Sequence, residues 1–160
     1  MKKALGLAQQ AALDGEVPVG CVIVDAAGNI IGRGRNRRET SKSALAHAEL
    51  DAITEACASR GDWRLDGCSL YVTLEPCAMC AGAIINSRIS RVFYGAKESV
   101  SGACGSVLNM FMEFPNSAQI VGGVLECECA AVLEEFFRTV RQGGQGRAFP
   151  SPSNNGRGSK

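Results

Sequence analysis

The sequence lacks an excess of either charge. Its 17 Lys and Arg residues stand against 16 Asp and Glu, which excludes a charge-extended disordered chain and a uniformly basic one. No apolar run approaches the roughly 18 residues that read as a membrane span. Basic residues open the chain, but Gln9, Gln10 and Asp14 interrupt any signal-peptide core. Without an export signal, the expected compartment is the cytoplasm, where thiols stay reduced. The eight cysteines are then expected to be buried apolar groups or metal ligands, not a disulfide framework. There is no internal repeat, and histidine occurs once, as His47.

What is present fits one globular domain. The chain has 160 residues, 46% of them hydrophobic and 21% charged, enough for one sizeable core. The charge is unevenly placed. From Phe136 to Lys160 the basic residues Arg138, Arg141, Arg147, Arg157 and Lys160 meet no acidic one. A second basic cluster is Arg33, Arg35, Arg37 and Arg38. Each could be a solvated face; each also allows contact with a phosphate backbone.

Residues 2–14, rich in Ala, Leu and Gln, are predicted to form a helix ended by Gly15. Residues 19–25 are β-branched and apolar, a buried strand. After the Ala27-Gly28-Asn29 turn, residues 30–34 return as a hairpin. Residues 35–45 read as irregular. A helix is predicted over 46–60, with Leu50, Ile53 and Cys57 on one face. A strand is predicted over 69–74, and a helix opened by Pro76 runs to about Ser87. Residues 91–94 form a strand, 95–118 a Gly-rich loop with a short Leu/Met/Phe segment, and 119–125 a fifth strand. The last helix spans 126–142, with Leu133, Phe136, Phe137 and Val140 on its apolar side. Strands linked through helices imply an α/β fold: a three-layer α-β-α sandwich around a mixed five-stranded sheet. Residues 1–142 are expected to be the domain. Residues 143–160, Gly/Ser-rich and basic, are expected to be a disordered tail.

The chemistry concentrates at His47-Ala48-Glu49 and Pro76-Cys77-Ala78-Met79-Cys80. One imidazole and two thiolates are good Zn²⁺ ligands, and three protein ligands leave a fourth tetrahedral position open, as catalysis needs. On a helix flank, residues two apart point away from each other. At a helix N-terminus the first turn can surround an ion, and the free N–H groups favour thiolate over thiol. Two helix starts meeting at one metal would therefore assemble His47, Cys77, Cys80 and Glu49. Two thiolates offset the charge of zinc and leave its water less acidic than an all-histidine site would. A carboxylate beside the metal, Glu49, is expected to move that proton. Alone, Cys-x-x-Cys is also the mark of a redox pair or half a structural zinc site. Cys127 and Cys129 are better read as packing, and Cys21, Cys57, Cys68 and Cys104 as small core hydrophobes.

These two motifs resemble the signature of the zinc nucleobase deaminases, for which signature and mechanism are already established. The likeness extends to Glu16-Val17-Pro18-Val19-Gly20, Gly32 to Asn36, Leu74 to Ile84, Ser87-Arg88-Ile89, Gly95-Ala96-Lys97, Gly102 to Ser106 and Phe136-Phe137-Arg138. Over about residues 4–142 the chain resembles the bacterial tRNA adenosine deaminases. Ser43-Ala44-Leu45 departs from that family's commoner Asp-Pro-Thr. The resemblance implies a cytidine-deaminase-like fold, one zinc per chain and a homodimer. It also implies conversion of adenosine to inosine at the wobble position of a tRNA anticodon, with Glu49 shuttling protons. It further places Asn36 on the nucleoside, Val17 and Glu98 at substrate-binding positions lining the pocket or its loop, and Phe136, Phe137 and Arg138 on a helix that touches the anticodon stem-loop. Bland readings of the same residues are a strand-end turn for Asn36 and core or dimer packing for the two Phe. Two other functions stay open: a deaminase of a free base or nucleotide, of guanine or deoxycytidylate type, and a non-catalytic zinc module that binds RNA.

Overall fold

The structure is a computed structural model and describes residues 1–114 and 117–142. The expected tail, 143–160, lies outside the described residues. The elements run α1 (Lys2–Leu13), β1 (Gly20–Val24), β2 (Ile30–Arg35), α2 (Arg38–Ser41), α3 (Ala48–Arg60), β3 (Ser69–Leu74), α4 (Ala78–Asn86), β4 (Arg91–Ala96), α5 (Met110–Glu113), β5 (Gln119–Val121) and α6 (Glu126–Gln142). Among the described residues no helix is long and apolar enough to cross a membrane.

The sheet has the order β2-β1-β3-β4-β5. β1 is antiparallel to both β2 and β3, whereas β3, β4 and β5 run parallel. The sheet is therefore mixed and five-stranded. α1 and α6 cover one face; α3 and α4 cover the other, where Ile23, Leu70, Val72, Ile84 and Val92 form the core with the α3 alanines. Three of the four cysteines expected to be core hydrophobes, Cys21, Cys68 and Cys104, are buried, and Cys57 is half-buried.

The helices approach through missing side chains. A Cβ at Gly34 would lie 1.9 Å from the Ala48 carbonyl oxygen, and one at Gly32 would lie 2.2 Å from that of Ala52. The hairpin glycines thus let α3 settle directly on β2. The fully buried stripe of α3 is Ala48, Ala52 and Ala56; of the expected face, Leu50, Ile53 and Cys57 are half-buried, and Ile53 and Cys57 pack against the core beside that stripe. A sheet surface without side chains accepts the small face of a helix, not its large one. α1 repeats the device, with Ala4 and Ala8 against Gly20.

Other differences are local. The stretch expected to be irregular contains α2. β5 stops at Val121, because Gly122 passes against the Tyr94 ring and Gly123 and Leu125 turn with positive φ. On α6, Leu133 and Phe136 are half-buried, Phe137 and Val140 are exposed, and only Cys129 is fully enclosed. The expected apolar side of α6 is thus only partly covered by this chain.

Candidate active site

Both motifs lie at helix starts. His47, with φ −87° and ψ 149°, is the N-cap of α3, and Cys77, with φ −75° and ψ 174°, is the N-cap of α4. Both helices begin two residues after the positions expected for them, because a cap residue keeps extended dihedrals while its carbonyl accepts the first helical hydrogen bond. Glu49 and Cys80 follow within the first turns. α4 leaves the carboxyl end of β3, the central strand, and α3 packs beside it, so the two N-termini converge beyond that strand's end.

His47 Nδ1 stands 3.8 Å from Cys77 Sγ and 3.5 Å from Cys80 Sγ. All three donor atoms lie within 4.8 Å of one another. Zinc with arms of about 2.0 Å to nitrogen and 2.3 Å to sulfur needs tetrahedral ligands roughly 3.6 Å apart. The donor set and its spacing therefore fit zinc, with a fourth position left for a small ligand.

The electrostatics divide the roles. A hydrogen bond from the Cys80 thiol, and then one from His47, hold the Cys77 thiol down at about 3, a thiolate ready for a metal. Glu49 is only 4% exposed. Burial pushes its carboxyl above the ordinary carboxylate range. A carboxyl so placed holds a proton more readily than an exposed one and can pass it on.

A cavity of about 230 Å³ opens onto this centre. Val17, Asn36, His47, Glu49, Cys77 and Glu98 all line it. Asn36 is buried, and its Nδ2 donates to the Val17 carbonyl at 3.1 Å. That bond fixes the amide and leaves Oδ1 as its free face. Phe136, Phe137 and Arg138 do not line the cavity. They lie on α6, where the two rings meet edge to face at 5.4 Å and Arg138 pairs with Glu135.

The basic hairpin cluster is largely neutralised. Arg33 pairs with Glu55, Arg35 with Asp14 and Arg37 with Asp51. Arg38 makes no ion pair among the described residues, and it lines the cavity.

Two further acids shape the cavity walls. Glu16, 1% exposed, accepts the main-chain N–H groups of Glu39 and Thr40 and so holds α2 in place. Burial pushes its carboxyl up, but those N–H groups outweigh burial and hold it below the ordinary range. Glu75 does the same for residues 98–106. Burial raises its carboxyl, and hydrogen bonds from Ser106, Glu98 and Cys104 bring it below the ordinary range. Sequence reasoning assigned neither acid a role. The available signal was an acid amid otherwise apolar residues in Glu16-Val17-Pro18-Val19 and Leu74-Glu75-Pro76.

Comparison with known proteins agrees with this geometry. The family profile described as the cytidine and deoxycytidylate deaminase zinc-binding region matches residues 1–96. The tRNA-specific adenosine deaminase of Bacillus subtilis is 48% identical over 144 residues, covering 89% of each chain. A solved tRNA:A34 deaminase, from a study of A-to-I editing at the wobble position of transfer RNA, superposes with a TM-score of 0.77 at 41% identity. It covers 83% of this chain and 97% of its own. A guanine deaminase from Nitrosomonas europaea superposes with a TM-score of 0.74 at 25% identity, over 84% of this chain and 81% of its own.

Proposed function

The chain belongs to the cytidine and deoxycytidylate deaminase zinc-binding family, among its tRNA-specific adenosine deaminases, and we propose that the His47, Glu49, Cys77 and Cys80 centre performs its reaction. That reaction is the zinc-dependent hydrolysis of adenosine to inosine at the wobble position of a tRNA anticodon. Water adds at C6 of the purine, the C6–N bond breaks, and ammonia leaves.

His47 Nδ1 and the Cys77 and Cys80 thiolates would hold the metal, which would supply Lewis acidity to the attacking water. Glu49 takes one proton from the attacking water and gives it to the ring nitrogen; it then takes the remaining proton from the new C6 hydroxyl and passes it to the amine, which leaves as ammonia while the C6 carbonyl forms. Burial serves this cycle, since a carboxyl raised above its ordinary range is a better proton acceptor than an exposed one. Asn36, fixed by Val17, presents Oδ1 to the nucleoside, and Glu98 lines the same cavity.

The observation that carries the reading is a buried, raised carboxyl beside a three-donor zinc set. A purely structural zinc site has no use for it. The test is inosine formation in an anticodon stem-loop RNA, run beside free adenosine, guanine and deoxycytidylate. Inosine in the stem-loop with the free compounds unchanged supports the reading. Turnover of guanine or deoxycytidylate alone would replace it with a free-base or nucleotide deaminase.

The partner is tRNA. An anticodon loop is single-stranded, so extruding its base costs less than unpairing a duplex. Arg38 at the cavity meets the phosphates beside the target nucleoside, and Phe136, Phe137 and Arg138 meet the stem-loop from α6. The exposure of Phe137 and of the Arg138 side chain supports that second contact. The protein is a homodimer in this reading, supported by Val107, Leu108, Met112 and Phe114, large apolar side chains exposed along one segment. Its compartment is the cytoplasm, in keeping with eight unpaired cysteines.

A further inference from the structure

Glu75 separates the end of β3 from Pro76 and Cys77, the N-cap of α4. The residue is 2% exposed, and no cation pairs with it among the described residues. Its two oxygens are fully used. One accepts the main-chain N–H groups of Cys104 at 3.0 Å and Ser106 at 3.1 Å. The other accepts the N–H of Glu98 at 3.1 Å and the Ser106 hydroxyl. All four donors belong to one loop, 98–106, which contributes Glu98 and Ser101 to the cavity wall.

The same loop is tied to the metal helix directly. Ala103 N–H donates to the Pro76 carbonyl at 2.8 Å, and Gly102 forms a bridge with Cys77. Gly102 is small for a reason: a Cβ there would lie 2.7 Å from the Glu75 carboxylate. A buried charge is tolerated only when its oxygens are compensated. Here main-chain dipoles of the pocket wall supply the compensation, so the charge and the wall depend on each other. Glu75 also lines the cavity, but its two oxygens are taken up by four donors of the loop, so it acts on the cavity by holding that loop.

We propose that Glu75 is a positioning residue: it fixes the 98–106 wall at a set distance from Cys77 and thereby sets how tightly the cavity holds the nucleoside. This rests on the deamination reading above. A glutamine at position 75 keeps the shape but turns one acceptor into a donor that faces the Glu98 or Cys104 and Ser106 N–H groups. The wall then loosens while the metal ligands stay.

The test uses the full, zinc-loaded chain and an anticodon stem-loop RNA. Glu75→Gln is expected to keep its zinc and raise KM about 10-fold, with kcat changed far less, the pattern of lost binding rather than lost chemistry. Ser106→Ala, which removes one donor of four, is expected to raise KM less, and Gly102→Ala, which crowds the carboxylate, to raise it in the same direction. Hydrogen exchange at the Cys104 and Ser106 amides reads the wall without any substrate and is expected to quicken in Glu75→Gln. Wild-type KM and unchanged exchange in Glu75→Gln overturn the proposal. So does a fall in kcat and zinc content at constant KM. Should Glu75→Gln not fold, wild-type KM in both Ser106→Ala and Gly102→Ala overturns it. If the wild-type chain leaves the RNA unchanged, the functional reading fails instead, and the exchange measurement still decides whether Glu75 holds the wall.

Discussion

Glu49 and Cys77 stand near each other, yet their substitutions have opposite signatures. Glu49 is not needed to close the donor triangle, whose atoms belong to His47, Cys77 and Cys80. Glu49→Ala is expected to keep about one zinc per chain while turnover falls by at least ~10². Cys77→Ala is expected to lose the zinc as well as the activity. Metal analysis beside a turnover assay separates the two; zinc loss from Glu49→Ala would make it a ligand. A different acid carries a pH signature. The Glu16 carboxyl is lower in the folded chain than its ordinary value of 4.5, so its contribution to stability is complete above that value. It disappears as the pH falls below 4.5 toward the folded value. The melting-temperature gap between wild type and Glu16→Gln is therefore expected to be widest near neutral pH and to close in acid. A gap that widens in acid would contradict the hydrogen-bonding account.

At the scale of elements, the glycines of β2 govern where His47 sits. α3 rests on Gly32 and Gly34, and His47 and Glu49 lie at its start. Gly34→Ala inserts a methyl where the Ala48 carbonyl already lies, and overpacking of this kind costs about 1–3 kcal/mol. The melting temperature is expected to fall, with a loss of activity beyond what unfolding explains. Gly6→Ala is the counterpart. It lies within α1 with nothing inside 4 Å of its Cβ, and it is expected to stabilise by roughly 0.5–1 kcal/mol. Thermal melts of both variants check the pair. These contacts also mark what the sequence could carry. The order of strands and helices was legible from apolar runs and turn residues, and the metal centre from ligand type and spacing. The alanine face of α3 was not, because it depends on glycines of another element. α2 was hidden for the same reason: Glu16, over twenty residues away, supplies its anchor. Arg33, Arg35 and Arg37 read as a phosphate-binding run until the fold brought a carboxylate to each.

For the whole molecule, that neutralisation predicts how binding responds to salt. Each phosphate neutralised by a free cation contributes about 0.7–0.9 to the slope of log affinity against log salt. Arg38→Ala is expected to lower the slope by about one contact, whereas Arg33→Ala, whose charge Glu55 already meets, is expected to leave it unchanged. Binding titrations of the stem-loop at several salt concentrations measure both. Equal slopes in the two variants would remove Arg38 from the contact.

The antiparallel pairing of Cys21 with Val72 couples the two halves of the centre. α3 is seated on the β1–β2 hairpin, whereas α4 continues from β3. A slip of one residue between β1 and β3 would move one ligand group past the other by about 3.4 Å and turn each strand's side chains to the wrong face. Zinc coordination tolerates displacements of only about 0.2 Å. The donor triangle is therefore a gauge of strand alignment: strands paired one residue out of step would not bring His47, Cys77 and Cys80 within reach of one ion.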